Sequence, residues 1–256
     1  MNPASNTSPE EPVHVPITPL YEYYGDESRR ASFLRDLFDR SACDYDRIER
    51  MLALGSGRWY RRQALRRAGL QHGMRVVDVG FGTGLLAAQA ITLIGDAALL
   101  TGVDPSVGMM QASPLAAHVR LVQGHAESIP LPDASADFVS MGYALRHVSD
   151  MGAAFAEFSR ILKPGGTVCV LELTKPRSRV GSALLRTWMR GAVPLMACLT
   201  RGSHATPHIW RYYWDSIAAC APPQRILDTL RAVGLESGQR HVELGFCSEY
   251  RARKPL

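Results

Sequence analysis

Two spacings of apolar residues divide the chain, and the change from one to the other predicts the fold. Between Tyr21 and Ala68, apolar positions recur every three to four residues, in Phe33, Leu34, Leu37 and Phe38 and again in Ile48, Met51 and Leu52. That period puts side chains on one face of a helix. Gly55-Ser56-Gly57 interrupts the stretch and predicts two helices there. Beyond it the runs shorten. Val76–Val79, Ala98–Val103, Val119–Val122, Phe138–Met141 and Val168–Leu171 are apolar and bounded by Gly, Pro or Asp, with helical patterns such as Leu85–Leu93 and Ala153–Leu162 between most of them. Strand and helix in alternation predict a parallel sheet covered on both faces. Lys163-Pro164-Gly165-Gly166 predicts a turn directly before a strand at Thr167.

After Thr174 the alternation lapses into a stretch rich in Arg, Trp and Tyr. It resumes in a helix opened by Pro222-Pro223 and closed at Gly234, and two strand-like segments follow near Val242–Leu244 and Phe246–Arg251. The expectation is an α/β, Rossmann-like sheet of seven mostly parallel strands with helices on both faces. It forms one domain over 21–256, with a helical cap at 21–70 and an insertion at 177–221 acting as a lid. Residues 1–20, rich in Pro, Ser, Asn and Thr, read as a flexible tail.

Composition narrows the class. A chain of 256 residues, 46% of them hydrophobic, has enough apolar mass for a sizeable core and too much for a disordered chain. The longest apolar candidate for a membrane span, Gly181–Thr200, is broken by Arg186 and Arg190. The N-terminus lacks the basic start and apolar stretch of a secretory signal. Five scattered cysteines form no CxxC pair, which speaks against zinc and disulfides and makes the cytoplasm the expected compartment. His204 and His208 are separated by Pro207, so no metal site is expected. The net charge of +5 is concentrated in Arg58, Arg61, Arg62, Arg66 and Arg67, whose plainest reading is a solvated helix face. No aromatic-interleaved basic module accompanies them, so nucleic acid is not an expected partner.

The chemistry begins at Val76-Val77-Asp78-Val79-Gly80-Phe81-Gly82-Thr83-Gly84, a strand end that opens a helix. Glycines at alternate positions allow a tight turn and close approach to a ligand, toward which the helix N–H groups point. Asp104 follows at the end of the next strand, where a carboxylate accepts ribose hydroxyls. A dinucleotide fingerprint spaces its glycines G-x-G-x-x-G. Here Gly80, Gly82 and Gly84 alternate, and the carboxylate of Asp78 suits the cationic amino-acid end of S-adenosylmethionine (SAM) better than a phosphate. His125-Ala126 after the third strand and Gly142 after the fourth fit an adenine edge and the exit of a methyl group.

These motifs resemble the class I SAM-dependent methyltransferases, and within them the ubiquinone/menaquinone C-methyltransferases of UbiE type. The resemblance runs from Leu37-Phe38-Asp39 through Ala126-Glu127-Ser128-Ile129-Pro130-Leu131-Pro132-Asp133, Ala144-Leu145-Arg146-His147-Val148-Ser149-Asp150 and Lys163-Pro164-Gly165-Gly166 to Tyr212-Tyr213-Trp214-Asp215-Ser216-Ile217. It implies that Thr83, Asp104, His125 and Ala126 contact SAM and that Arg146 and Tyr45 lie near the ring to be methylated. The chain departs from the family's pattern at His125, Gly142 and His147. The implied activity is methyl transfer, to carbon, on a quinol or related prenylated aromatic molecule. The alternatives are replacement of a quinone methoxy group by an amino group, as in rhodoquinone formation, and methylation of a polyketide or terpenoid. Arg146 is expected to stabilise a phenolate, with His147 or a water as base. Trp210, Tyr212 and Trp214 are expected to wall the substrate. Arginines beside apolar residues in the insertion suggest peripheral contact with the membrane, and a homo-oligomer is compatible with the sequence.

Overall fold

Strand β1 (Val76–Val79) is buried along its whole length. It pairs in parallel with β2 (Leu100–Asp104) on one side and β4 (Ala136–Gly142) on the other. In the computed structural model, which describes residues 16–193, 195 and 207–256, the sheet has seven strands in the order β3-β2-β1-β4-β5-β7-β6. Strand β3 (Arg120–Gln123) and β5 (Leu162–Leu173) continue the parallel array, and β6 (Glu236–Glu243) and β7 (Cys247–Arg253) close it antiparallel. Strand order reverses between β1 and β4, so a crevice opens at their carboxyl ends.

Side-chain alternation sorts the strands onto two cores. Val77, Val79, Val139, Met141, Val168 and Val170 face α6 (Met151–Ile161) and α9 (Pro223–Ala232). Val76, Phe138, Cys169 and Leu171 face α3 (Gly57–Arg67) and α4 (Leu85–Ile94). Both faces are covered, which is why the strands read as continuous apolar runs. Before them lie α1 (Tyr21–Tyr24) and the long α2 (Glu27–Leu52), which packs on α5 (Val107–Gln111). Between β5 and α9 stand α7 (Arg179–Thr187), a π-helical turn at Trp188–Ala192 and α8 (Pro207–Ala218), which form a third apolar cluster with Leu37 and Phe38 of α2.

Three boundaries differ from expectation. Lys163–Gly166 does not precede the strand but bulges within it: Ala136 pairs with Leu162, and Phe138 next pairs with Thr167. Strand β6 starts at Glu236, six residues early, because an edge strand of mostly polar residues carries no apolar run. The tail is tied down at its end. Ile17 is 3% exposed and bridges to Cys220, and the Ala221 N–H donates to the Pro16 carbonyl at 2.7 Å. Residues 1–15 lie outside the described residues.

Candidate active site

The turn after β1 is fixed from beneath. The N–H groups of Gly80 and Phe81 both donate to the Val103 carbonyl, at 2.9 and 3.1 Å. Gly80 has φ +71°, and a Cβ there would stand 2.5 Å from that of Ala144. Only glycine satisfies both conditions. Asp104, at the end of β2, accepts the Gly82 N–H at 2.7 Å and the Ser106 N–H at 2.8 Å. Burial pushes its carboxyl up to about 6, the two N–H bonds opposing the shift.

A cleft of about 150 Å³ opens here, and Gly80, Gly82, Asp104, His125, Ala126 and Gly142 line it. The ends of β1 to β4 converge on one space, as their sequence predicts. Leu34 and Phe38 of α2 close the cleft from above. The glycine cradle, a carboxylate for ribose hydroxyls and backbone beside Ala126 fit the nucleoside and amino-acid parts of SAM.

Three expected contacts do not reach the cleft. Asp78 is 1% exposed, and its Oδ1 accepts the Ser140 hydroxyl at 2.6 Å, because alternation turns both residues toward α4. Burial raises its carboxyl to about 7. Thr83 is buried and donates to Asp46 of α2 at 2.5 Å, tying the loop to that helix. Gly84 caps α4 in the left-handed conformation, with Phe81 beneath it.

A second cavity, of about 1190 Å³, lies between α3, α7, α8 and the β6–β7 hairpin. Leu173, Leu185, Trp188, Tyr213 and Phe246 give it apolar walls, and Tyr60, Arg61 and Arg146 add polar groups. One residue, Tyr143, lines both spaces. It follows Gly142 with φ +60°, rare for a bulky side chain. Its N–H donates to the Leu171 carbonyl at 2.7 Å, and the Arg61 guanidinium sits 5.1 Å from its ring centroid.

A family model described as the ubiE/COQ5 methyltransferase family matches residues 26–253. The chain belongs to that family. A ubiquinone/menaquinone biosynthesis C-methyltransferase UbiE from Syntrophotalea carbinolica is 33% identical over 213 residues, 81% of this chain and 86% of the relative. A demethylmenaquinone methyltransferase from Deinococcus radiodurans is 29% identical, covering 86% and 92% of the two chains. Among solved structures, a SAM-dependent methyltransferase of Thermotoga maritima, titled as a possible histamine N-methyltransferase, superposes with TM-score 0.61 at 22% identity over 86% of this chain and 98% of that one. This ubiE/COQ5 family member is a SAM-dependent methyltransferase. Amino-group introduction and methylation of a polyketide or terpenoid gain no support from these relatives.

Within the ubiE/COQ5 fold, the residues expected to act on substrate divide. Arg146 lines the large cavity, but its Nη1 is 2.5 Å from the buried Glu172 carboxylate. Its charge is therefore balanced by a carboxylate within the fold. His147 faces the smaller cleft instead. Its Nδ1 lies 3.2 Å from the Tyr212 hydroxyl, its Nε2 is buried without a partner among the described residues, and burial holds its pKa well below the usual imidazole value. Tyr212 and Trp214 wall neither cavity. Tyr212 packs among Tyr23, Phe33 and His147, and Trp214 lies in the cluster with Met189 and Val193. Helical spacing turns Tyr213, between them, to the cavity. The side chains of Tyr45 and Trp210 lie outside the described residues. Tyr143, Tyr60 and the hairpin wall were missed, since no residue pattern announces a left-handed tyrosine. No helix among the described residues is long and apolar enough to cross a membrane, and none of their His, Cys, Asp and Glu side chains forms a metal-binding group.

Proposed function

We propose that this protein transfers a methyl group from SAM to a ring carbon of a quinol carrying an apolar prenyl tail. The carrying observation is the large apolar cavity that meets the cofactor cleft at Tyr143. Bound SAM supplies the electrophilic methyl group. Gly80, Gly82, Gly84 and Thr83 shape its loop, Asp104 holds the ribose, His125 and Ala126 flank the adenine, Gly142 leaves room for the methyl, and Asp78 braces the loop from below. A quinol carbon becomes nucleophilic when its hydroxyl loses a proton to a water or to His147, which stands on the cofactor side of the site. The C–CH3 bond forms as the S–CH3 bond breaks, and the ring carbon then gives up its proton to restore the aromatic ring. Tyr212 orients the imidazole through Nδ1. Arg146, held by Glu172, is a positioning group on the acceptor side. Orientation of the two reactants contributes most of the acceleration. The names of the relatives favour the quinol as acceptor.

Helix α7, the π-helical turn and α8, the described parts of the 177–221 segment that line the cavity, act as its lid, and the rim carries the exposed Leu54, Trp59, Leu184 and Leu244. Lys175 and Arg177 stand exposed beside these side chains, a combination that suits an anionic membrane surface, from which a lipophilic quinol enters. Incubation with methyl-labelled SAM and a reduced, prenylated demethylnaphthoquinol should yield label on a ring carbon by mass spectrometry. Label on oxygen, or none, overturns the reading. Trp59→Asp should weaken sedimentation with phosphatidylglycerol vesicles, and unchanged sedimentation removes the membrane element.

A further inference from the structure

Tyr143 is held at every point except its hydroxyl. Its N–H donates to the Leu171 carbonyl at 2.7 Å, its carbonyl accepts from Arg146 Nη1 at 2.8 Å, and the Arg61 guanidinium lies 5.1 Å from its ring centroid. The left-handed backbone, at φ +60°, costs a bulky residue energy and persists only where the surroundings enforce it. Gly142 and Ala144 on either side line the cofactor cleft, whereas the ring packs on the cluster that holds Tyr60 and Cys247, two residues of the large cavity. The hydroxyl makes no hydrogen bond among the described residues, and it is not sealed. The side-chain polar atoms buried without a partner include the Tyr60 hydroxyl but not that of Tyr143, a residue only half-buried. Its accessible surface therefore opens on the spaces that Tyr143 lines. Burial raises its pKa well above the usual phenol value, so at neutral pH it is an unused donor. In apolar sites a few such groups set ligand orientation.

We propose that Tyr143 is a positioning residue for the acceptor, its hydroxyl donating to a ring oxygen of an aromatic alcohol or alcoholate. An oxygen bound there stands where the two spaces meet, and the carbon beside it is set toward the cofactor cleft. Arg61, paired with Glu49 at 2.7 Å, holds the tyrosine ring, and the apolar walls take the rest of the ligand. The inference rests on the methyl-transfer reading and adds the class of substituent that the site recognises. A ring without that oxygen gains nothing from the hydroxyl.

The test is a cycle of two proteins and two probes, wild type and Tyr143→Phe against a prenylated 1,4-naphthalenediol kept reduced and the same prenylated naphthalene without oxygen. Calorimetric affinity for the diol should fall about tenfold in Tyr143→Phe, the scale of one lost hydrogen bond. Affinity for the oxygen-free ring should not change, and SAM affinity should stay at that of wild type. With methyl-labelled SAM, kcat for the diol should fall as well, because orientation is lost with the bond. Equal loss of affinity for both rings, loss for neither, or an unchanged kcat overturns the inference while the methyl-transfer reading stands. A wild type that binds neither ring, or binds the diol without transferring label, overturns both. Should Tyr143→Phe not fold, the diol with wild type decides: a nuclear Overhauser contact between the diol ring and the Tyr143 ring is expected, and its absence from a saturated complex overturns the proposal.

Discussion

One carboxylate holds Arg146 at two points. Glu172 Oε1 accepts from the guanidinium Nη1 at 2.5 Å and Oε2 accepts the backbone N–H of Arg146 at 3.2 Å, with side-chain exposures of 4% and 0%. Ser216 and the Tyr143 carbonyl take further guanidinium N–H groups. Removing one partner strands a buried charge, at about 3–5 kcal/mol. Glu172→Ala should therefore lose about that much stability in urea denaturation, and Glu172→Gln less, because the amide oxygen still accepts. Equal stability of Glu172→Ala and wild type would show that the pair is solvated.

The raised carboxyls of Asp78, to about 7, and Asp104, to about 6, imply a pH dependence. An unfolded Asp titrates near 3.9. Between about pH 4 and 7 the folded chain holds more protons on these groups than the unfolded chain, so their contribution to stability falls as pH rises. The slope is at most about 1.4 kcal/mol per pH unit for each group. Asp78→Asn, which keeps an acceptor for Ser140, should flatten the wild-type loss of stability over this window in urea titrations at several pH values. A wild-type and variant pair with parallel curves would contradict it.

Ionised Asp104 is the better acceptor for ribose hydroxyls. SAM affinity should rise as pH passes through about 6, and calorimetry with Asp104→Asn should show weak binding without that rise.

Two loop glycines should differ under the same substitution. Gly80→Ala sets a Cβ 2.5 Å from Ala144 Cβ, whereas at Gly82 the nearest atom is the flexible Met109 Cε at 3.4 Å. Both carry positive φ, worth about 1–2 kcal/mol for an L residue. Gly80→Ala should lower the melting temperature more than Gly82→Ala and abolish SAM binding. The reverse order would mean that the turn relaxes freely.

The cleft of about 150 Å³ is smaller than the ~300 Å³ at which ordinary small-molecule sites begin. Helix α2 covers it and is pinned by the Thr83–Asp46 bond. SAM should therefore change amide exchange around Leu34–Phe38, and Thr83→Val should speed exchange there before SAM is added. Identical exchange with and without SAM would mean that α2 does not yield.

The sheet was legible because each buried strand is a compact apolar run with a turn signal at its end. Strand β6, polar and at an edge, had no such signature. The cofactor loop was legible for a related reason: glycine at Gly80 answers a steric demand that no other residue meets. Its outward contacts were less so, because Asp78 and Thr83 share the motif yet are spent on Ser140 and Asp46, partners 62 and 37 residues away. The acceptor side was the least legible. Tyr212, Tyr213 and Trp214 are consecutive and similar, and only the phase of α8 decides that the middle one reaches the cavity.

The walls of the two spaces share Tyr143 alone among the described residues. The smaller is drawn from α2 and the ends of β1 to β4, the larger chiefly from α3, α7, α8 and the final hairpin. Substitutions on the second set fall outside the lining of the first, so a lineage built on this scaffold is free to remodel one space while inheriting the residues of the other. Tyr143 is the position at which that independence ends.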